Sequence, residues 1–306
     1  IDSYEIGTKN TLANGALQLN ASAFYYDYQG YQITQIINRT SVNFNIDTKL
    51  QGLELESVWN PVSTLVVNAN LGLLDTEIGD VYSIDVLNRT NSRADLVALK
   101  NTSNYTNCVI SAQGYATVLG AIAMNPALTG ITRNICNNDL GAVGGRAGFE
   151  ALLGLSAVSV TYTDAAGNTR TASALEPIEG DAVNLKGNSM PGAPDTTFNM
   201  GVEYTWLPGS FGDWGLTGRV DYYRQSESFS RVYNTARDGL ASWDNLNLSL
   251  SFFNDPSGLR FDIFGKNITN EQVITGAYLT DDSSGLFTNI FLNEPRTYGI
   301  SLTKTW

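Results

Sequence analysis

Apolar and polar side chains alternate with a period of two along most of the 306-residue chain. The stretch TLVVNANLGLL is typical, because Leu65, Val67 and Leu71 share one parity whereas Asn68 and Asn70 share the other. Such alternation indicates a β-strand with one apolar face and one polar face. It predicts nine strands, over residues 3–12, 16–35, 47–59, 64–78, 193–206, 214–230, 242–254, 259–274 and 290–306.

The connections between these strands alternate between short turns and long loops. Short turns are predicted at residues 13–15, 60–63, 207–213 and 255–258, and long connectors at 36–47, 79–192, 231–241 and 275–289. This pattern is typical of an outer-membrane β-barrel, whose strands direct apolar side chains toward lipid and polar ones toward the lumen. A soluble β-sandwich is the alternative, but its outer faces carry more charge than the Asn-, Ser-, Thr- and Gly-rich polar face of this chain.

Two further features favour the barrel. Charged residues make up only 16% of the chain, below the roughly 25% usual for soluble domains. Four tryptophans lie beside short turns or at residue 306, where an aromatic girdle would meet the membrane interface. They are Trp59, Trp206, Trp214 and Trp306. The predicted fold class is all-β, an antiparallel transmembrane β-barrel with long extracellular loops.

Nine strands do not close such a barrel, because single-chain bacterial barrels have even strand numbers and an open sheet leaves two edges unpaired. We therefore expect residues 1–306 to be the C-terminal part of one larger barrel domain, with residues 79–192 as an extracellular loop insertion. The first ten residues have no Met, no basic segment and no apolar segment of a signal peptide. Residue 1 is therefore expected to be an artificial end.

Composition restricts the possible functions. A net charge of −12 argues against a nucleic-acid partner, which requires a basic surface. The chain contains no histidine, and so lacks the commonest general base and metal ligand. It also contains no nucleophile elbow and no metal-ligand motif, so we expect neither an enzyme nor a cofactor or metal site.

Residues 79–192 interrupt the strand pattern with Gly- and Asn-rich turns and short helix-compatible runs. Cys108 and Cys136 lie in this region, 28 positions apart. A disulfide between them would close an exposed loop in an oxidising compartment, and two buried free thiols are the alternative. We expect a small, disulfide-tied surface cap that either gates or grips a ligand, or only shields the barrel mouth.

Two groups of charged residues are candidate ligand contacts. In the long loop, arginines would attract an anionic ligand such as a ferric chelate, or would remain solvated without a ligand. On the polar strand face, charges would either pair internally as lumen lining or contact the ligand. The loop group is Arg93, Arg133, Arg146 and Arg170; the strand group contains Arg219 and Asp221, with Glu54, Glu56, Arg260, Asp262 and Lys266 beside them.

Several segments, taken in their order and spacing, resemble the C-terminal part of TonB-dependent outer-membrane receptors. The clearest are SYEIGTKNTLANGALQLNASAFYYDYQGYQI at 3–33, LQGLELESVWNP at 50–61, FDIFGKNITNEQ at 261–272 and EPRTYGISLTKTW at 294–306. The resemblance covers nearly everything except residues 79–186. It implies a 22-stranded barrel with a plugged lumen. This chain would supply the last nine strands, with the plug domain and the N-terminal strands absent.

The resemblance also implies a function. Such receptors import scarce nutrients with energy that TonB delivers through the plug, and we expect a ferric siderophore or similar chelate as the ligand. A passive porin-type channel and a surface-binding β protein without transport are the alternatives. The implied location is the bacterial outer membrane. The implied partners are membrane lipid and lipopolysaccharide, TonB, the barrel-assembly machinery and a small-molecule nutrient.

The last strand resembles the closing strand of outer-membrane barrels, which the assembly machinery reads as a signal. The resemblance implies that Tyr298, Ile300, Leu302 and Trp306 form this signal and face lipid. Lys304 departs from the pattern, since it shares their parity. A lysine near the interface can extend its ammonium group into water.

Overall fold

The computed structural model describes residues 1–37, 40–100, 107–140 and 144–306. Within them, nine strands form one antiparallel sheet in sequence order, which confirms the nine predicted strands. They are β1 (Asp2–Leu12), β2 (Leu17–Ile37), β3 (Thr40–Val62), β4 (Leu65–Ile78), β5 (Thr196–Trp206), β6 (Trp214–Gln225), β7 (Trp243–Asn254), β8 (Leu259–Lys266) and β9 (Thr297–Lys304).

The largest error of the sequence prediction is the connector at 36–47. β2 and β3 run through most of it and pair as far as Ile37 and Thr40, with residues 38 and 39 outside the described part. The prediction failed because polar residues around Phe44 and Ile46 resemble loop sequence although the alternation continues. These two strands therefore extend well beyond the 9–11 residues that cross a bilayer.

Three other strands are shorter than predicted. β6 ends at Gln225 and β8 at Lys266, and the predicted last strand is divided into Thr288–Leu292 and β9. β8 ends because Asn267 adopts a left-handed conformation with φ of 47°. Its side-chain amide then donates to the carbonyls of Glu271 at 2.9 Å and Glu294 at 3.0 Å. Pro295 precedes β9 and has no N–H to donate to a ladder.

The register of the sheet aligns apolar residues of successive strands on one face. Leu55 of β3 lies opposite Ala21 of β2 and Leu71 of β4, and Leu71 lies opposite Phe198 of β5. Many large side chains of this face are 39% to 51% exposed although they are apolar. They include Leu53, Leu55, Trp59, Met200, Val220, Leu248, Leu250, Phe252 and Ile263. A continuous exposed apolar surface of this extent is typical of contact with a membrane.

Aromatic residues mark the end of the sheet at which the short turns lie, here called the short-turn end. The Trp214 ring stacks on Phe252 with centroids 4.4 Å apart. Trp206 contacts Phe211 of the β5–β6 turn edge-on at 6.3 Å. Trp59 lies near the β3–β4 turn and is 47% exposed. The arrangement corresponds to one aromatic girdle of a membrane barrel.

The opposite face is polar and also carries three cross-strand pairs of phenylalanine and glycine. Phe24 lies opposite Gly52, Phe253 opposite Gly215 and Phe264 opposite Gly299. A Cβ atom added to Gly52 would lie 2.5 Å from the Phe24 ring. Glycine at these positions lets each ring lie across the neighbouring strand, and the ring in turn covers the glycine backbone.

Three segments at the opposite, long-loop end carry the remaining elements. The cap (residues 79–195) contains α1 (Ala112–Met124), α2 (Ile131–Asn134), α3 (Gly145–Leu152) and the strand pairs Leu96–Lys100 with Asn107–Ser111, Ser159–Thr163 with Thr169–Ser173, and Tyr82–Ser83 with Val183–Asn184. The middle loop (residues 226–242) pairs Ser228–Phe229 with Gly239–Leu240, and the last loop (residues 267–296) pairs Ile274–Leu279 with Thr288–Leu292. The predicted insertion at 79–192 thus contains short strands and helices, and its residues 101–106 and 141–143 lie outside the described part.

The cap has a hydrophobic core of its own. Ile110, Ile135 and Leu175 are fully buried in it. Ser111 caps α1 by accepting a hydrogen bond from the Gly114 N–H at 3.3 Å. None of the described helices has the length and apolar character that crossing a membrane requires.

Replacement of an apolar-face residue by lysine should destabilise the sheet strongly. Leu55→Lys places a charge where the face is expected to meet lipid, at a cost of about 2–4 kcal/mol near the bilayer midplane. The control is Asn20→Lys on the polar face, where Asn20 already lies 3.4 Å from a Glu56 oxygen. Urea unfolding of the full-length protein in lipid vesicles measures both. Equal losses in the two variants would contradict the assignment of the faces.

Two glycines of α1 should respond to alanine in opposite ways. A Cβ atom on Gly114 would lie 2.5 Å from the carbonyl oxygen of Ala174, a backbone atom that cannot move aside cheaply, whereas nothing lies within 4 Å at Gly120. We expect Gly114→Ala to destabilise the cap by about 1–3 kcal/mol through overpacking. Gly120→Ala should be neutral or stabilise by up to about 1 kcal/mol through helix propensity. Hydrogen exchange of α1 in the full-length protein compares them, and similar protection in both variants would refute this packing.

Candidate ligand site at the long-loop end

A β-bulge in β2 turns the side chains of Tyr31 and Ile33 toward the base of the long loops. Tyr28 pairs with Thr48 but Tyr31 pairs with Ile46, so β2 contains one extra residue there. Gly30 provides it in a left-handed conformation with φ of 72°, and its N–H donates to an Asp47 carboxylate oxygen at 2.9 Å. Because one extra residue inverts the side-chain parity, Tyr31 and the residues that follow change faces.

After this inversion β2 joins a buried cluster at the base of the loops. Tyr31 and Ile33 pack against a core formed by two strands, the cap and the middle loop. Its members are Ile46, Ile78, Leu185, Met190 and Val232, none more than 6% exposed. The cluster joins the strands to the cap and the middle loop, and the cavity described next lies beside it.

The cavity has a volume of about 530 Å³, within the range of small-molecule sites. Four parts of the chain form its wall. They are residues 31–34 of β2 with Ser41 of β3, Val86 and Pro191 of the cap, residues 230–233 of the middle loop, and residues 277–280 of the last loop. Tyr31, Tyr233 and Tyr278 contribute aromatic rings, and none of these residues was predicted as a site residue from the sequence.

Arg231 is the charged residue among those lining the cavity. Its guanidinium contacts Asp85 of the cap at 2.7 Å and Asp238 of the middle loop at 2.5 Å. Burial alone would lower the pKa of Arg231, but the hydrogen bonds to the two carboxylates outweigh it and the net shift is upward. The guanidinium carbon also lies 5.1 Å from the centre of the Tyr233 ring. Arg231 therefore stays charged and joins two segments.

A second buried ion pair joins the cap to the last loop. Arg89 contacts Asp282 at 2.5 Å, with both side chains less than 10% exposed. Arg89 also donates to the carbonyl of Glu179 at 2.9 Å, and Asn107 donates to the other Asp282 oxygen at 2.9 Å. The cap is thus joined to the middle loop through Arg231 and to the last loop through Arg89.

The arginines predicted as loop contacts lie outside the cavity wall. Arg93 pairs with Asp95 at 2.7 Å and with Asp181 at 3.4 Å. Two others also pair within the cap and the fourth is exposed on α2, so their ligand role stays a prediction. These pairs are Arg146 with Glu176 at 3.5 Å and Arg170 with Asp164 at 2.8 Å, and the exposed residue is Arg133.

The exposed pairs shift the pKa of their carboxyl groups downward. The hydrogen bond from Arg93 lowers the pKa of Asp95. Arg170, helped by the Asn168 N–H, lowers the pKa of Asp164 to about 2. A depressed folded-state pKa means that the pair stabilises the folded cap above the ordinary carboxyl pKa. This contribution is lost only as pH falls through about 2, so the Asp164 pair is intact at neutral pH.

The predicted strand charges form compact polar groups on the polar face. Arg219 donates to Asp221 at 2.6 and 2.9 Å, to Glu203 at 3.5 Å and to Asn68 at 3.3 Å. Gly201 leaves room for this group, since an added Cβ would lie 2.5 Å from the Asn68 oxygen. A second group joins Asp262 to Ser251, Arg260 and Ser301. Neither Arg219 nor Asp221 lines the cavity.

Cys108 and Cys136 are joined by a disulfide bond with Cα atoms 5.5 Å apart. The bond links the strand Asn107–Ser111 to the short turn Ile135–Asn137 inside the cap core. The described residues contain no group of three or more His, Cys, Asp or Glu side chains placed to hold a metal ion.

The last strand contributes to the apolar face of the sheet, and its role as an assembly signal stays a prediction. Ile300 and Leu302 lie opposite Ile263 and Phe261 on the apolar face. Tyr298 shares that face, and Trp306 is fully exposed beyond the end of β9. The Lys304 ammonium reaches the Ser257 carbonyl and lies 5.2 Å from the centre of the Trp306 ring.

A sheet with one uncovered apolar face, one polar face, short turns at one end and an ordered cap at the other defines part of a membrane β-barrel. The family model described as TonB dependent receptor-like, beta-barrel, matches residues 1–106 and 115–268, and the chain belongs to this family. Membership places the chain in the bacterial outer membrane and in a family of receptors rather than enzymes.

Solved structures have the same fold at low sequence identity. The ferric yersiniabactin uptake receptor FyuA from Yersinia pestis is 14% identical with a TM-score of 0.54, over 97% of this chain and 28% of that one. Two receptors from Acinetobacter baumannii, each with a TM-score of 0.50, match 98% of this chain. The siderophore receptor PiuA is 14% identical over 27% of its length, and the ferric preacinetobactin receptor BauA is 12% identical over 28%. The chain thus spans less than a third of these proteins.

Loss of the buried pair should loosen the cap far more than loss of an exposed one. Asp282→Asn leaves the Arg89 charge buried without its counter-ion, which costs about 3–5 kcal/mol. The matched control is Asp95→Asn, because the Asp95 side chain is 54% exposed and such pairs contribute less than about 1 kcal/mol. Hydrogen exchange of the cap and the last loop in the full-length receptor measures the opening free energy. Equal effects would show that the Arg89 pair does not join the loops.

Proposed function

We propose that the receptor containing this chain imports a small ferric chelate across the outer membrane, with energy supplied through TonB. The observation that carries the proposal is the cavity of about 530 Å³ at the long-loop end. It lies on the side where an external ligand would arrive, and three separate loop segments enclose it. The names of FyuA and BauA describe receptors for ferric chelates, and their shared fold supports the same class of ligand here.

The nine strands are proposed to form one part of a larger barrel domain. Among the described residues, β1 pairs only with β2 and β9 only with β8. Such free edges expose backbone donors and acceptors that further strands would satisfy in lipid. The remaining strands and a plug domain, through which TonB would act, are proposed to lie in the rest of the receptor.

The cap is proposed to help grip the ligand. Val86 and Pro191 of the cap line the cavity, and the Asp85 and Arg89 ion pairs connect the cap to the other two loops. A cap that only shielded the barrel mouth would not need to contribute to the wall. Lipid is the proposed partner of the apolar face, and β9 with Trp306 is the proposed contact for the assembly machinery.

The test is uptake of radioactive iron by a receptor-deletion strain that carries the full-length gene, with and without TonB. A panel of ferric chelates should include at least one whose uptake requires both the receptor and TonB. Tyr278→Ala should reduce that uptake about tenfold, because an aromatic anchor in a ligand pocket is lost. Met124→Ala is the control, since this cap residue is 85% exposed and lies outside the cavity wall.

Uptake that persists without TonB would indicate a passive channel. Binding at the surface without any uptake would indicate a receptor that does not transport. Either result would contradict the proposed function.

A further inference from the structure

We propose that the cavity selects an uncharged, amphiphilic ferric chelate over an anionic one. This inference rests on the proposed function and specifies its ligand class. A ferric tris-hydroxamate with a hydrocarbon backbone is an example of the favoured class, since three singly charged ligands cancel the charge of Fe³⁺. A ferric tris-catecholate is an example of the disfavoured class, because doubly charged ligands leave that complex strongly anionic.

The positive charge at the cavity wall is already compensated by carboxylates. Among the described residues that line the cavity, Arg231 is the charged one, and it contacts two carboxylates, those of Asp85 and Asp238. Both carboxylate side chains are less than 10% exposed, so neither is screened by water. This buried group therefore carries a surplus of negative charge and offers no counter-ion to an incoming anion.

The nearby arginines of the cap are similarly occupied. Arg89 is committed to Asp282, and Arg93 contacts both Asp95 and Asp181. An anionic chelate would lose its hydration on entry without gaining a paired cation from the described residues of the wall, which is strongly unfavourable. Within this part of the receptor, the net charge of −12 adds to the penalty for an anion. A neutral chelate avoids both penalties.

The rest of the wall suits a ligand with apolar and weakly polar parts. Ile33, Val86 and Leu279 provide aliphatic surface, and the Tyr278 ring is 42% exposed. The Ser230 and Thr280 hydroxyls already donate to the carbonyls of Asp238 and Phe287. The Gln32 amide and the Tyr278 hydroxyl are neutral hydrogen-bond donors of the wall. Such donors suit the partially charged oxygens of a neutral complex, whereas a full negative charge requires ionic partners.

The experiment compares two probes on the purified full-length receptor, a ferric tris-hydroxamate and a ferric tris-catecholate. Equilibrium dialysis with radioactive iron should show that the hydroxamate binds at least about tenfold more tightly than the catecholate. The reason is that the catecholate complex carries a negative charge that the cavity does not compensate. The affinity for the hydroxamate should change less than about twofold between roughly 50 mM and 500 mM salt. A neutral ligand forms no ion pair that salt could screen.

Charge substitutions at Gln32 provide a matched test. Gln32 is an exposed residue of the cavity wall, so the fold should tolerate either charge. Gln32→Lys should improve binding of the catecholate at least about fivefold relative to the hydroxamate, and Gln32→Glu should not, because only lysine supplies a counter-ion. Tyr278→Ala should weaken hydroxamate binding about tenfold through loss of aromatic contact.

The outcomes separate the two proposals. If the unmodified receptor binds the anionic probe more tightly, the charge inference is wrong while uptake of ferric chelates stands. The charge inference is also wrong if Gln32→Lys does not shift the preference between the two probes. If neither probe binds and no ferric chelate shows TonB-dependent uptake, both proposals are wrong.

Discussion

Continuous hydrogen bonding of the backbone is the constraint on which this structure depends. In a membrane, backbone N–H and C=O groups find no water, so each strand must form backbone hydrogen bonds with its neighbours along its whole length. The antiparallel ladder from β1 to β9 does so within the sheet, apart from irregularities in β2 and near the β3–β4 turn. A regular ladder also fixes side-chain parity, and parity separates an apolar face from a polar one.

The constraint relaxes where β2 and β3 extend beyond the apolar face. There a bulge at Gly30 interrupts the register and is tolerated because water can satisfy groups that the ladder leaves unpaired. The consequence is functional, since inversion of parity directs Tyr31 and Ile33 into the core beneath the cavity. One extra residue thus makes the end of a barrel strand part of the wall of the cavity.

The ladder could be predicted from the sequence because its information is local. Leu55 and Leu71 alternate with polar neighbours, and short turns fix which strands pair. The connector at 36–47 was mispredicted because an Asn- and Thr-rich strand in water resembles a loop. The order within the cap was only partly foreseen, since short helix-compatible runs do not determine how a core such as that around Ile110 and Ile135 assembles.

The site itself could not be predicted, because its contacts join distant parts of the chain. Arg89 and Asp282 are 193 positions apart, and Arg231 and Asp85 are 146 apart. No periodic pattern connects such residues. The inversion at Gly30 was equally hidden, since a glycine within an alternating strand is compatible with either a regular ladder or a bulge. Arginines were predicted as ligand contacts from residue type alone, and the structure places several of them beside carboxylates of their own loop.

The chain has few cationic side chains, and some of them are used to hold the long loops together. The chain has 18 Lys and Arg residues against 30 Asp and Glu, so acidic partners are abundant wherever an arginine folds. Buried ion pairs contribute little net stability but impose a geometry, since an unpaired partner is costly. Arg89 and Arg231 hold three loops in place by this means, and an arginine held in this way cannot also neutralise an anionic ligand. Under the proposed function, a rim ordered by its few arginines would recognise its ligand through shape, aromatic surface and neutral donors.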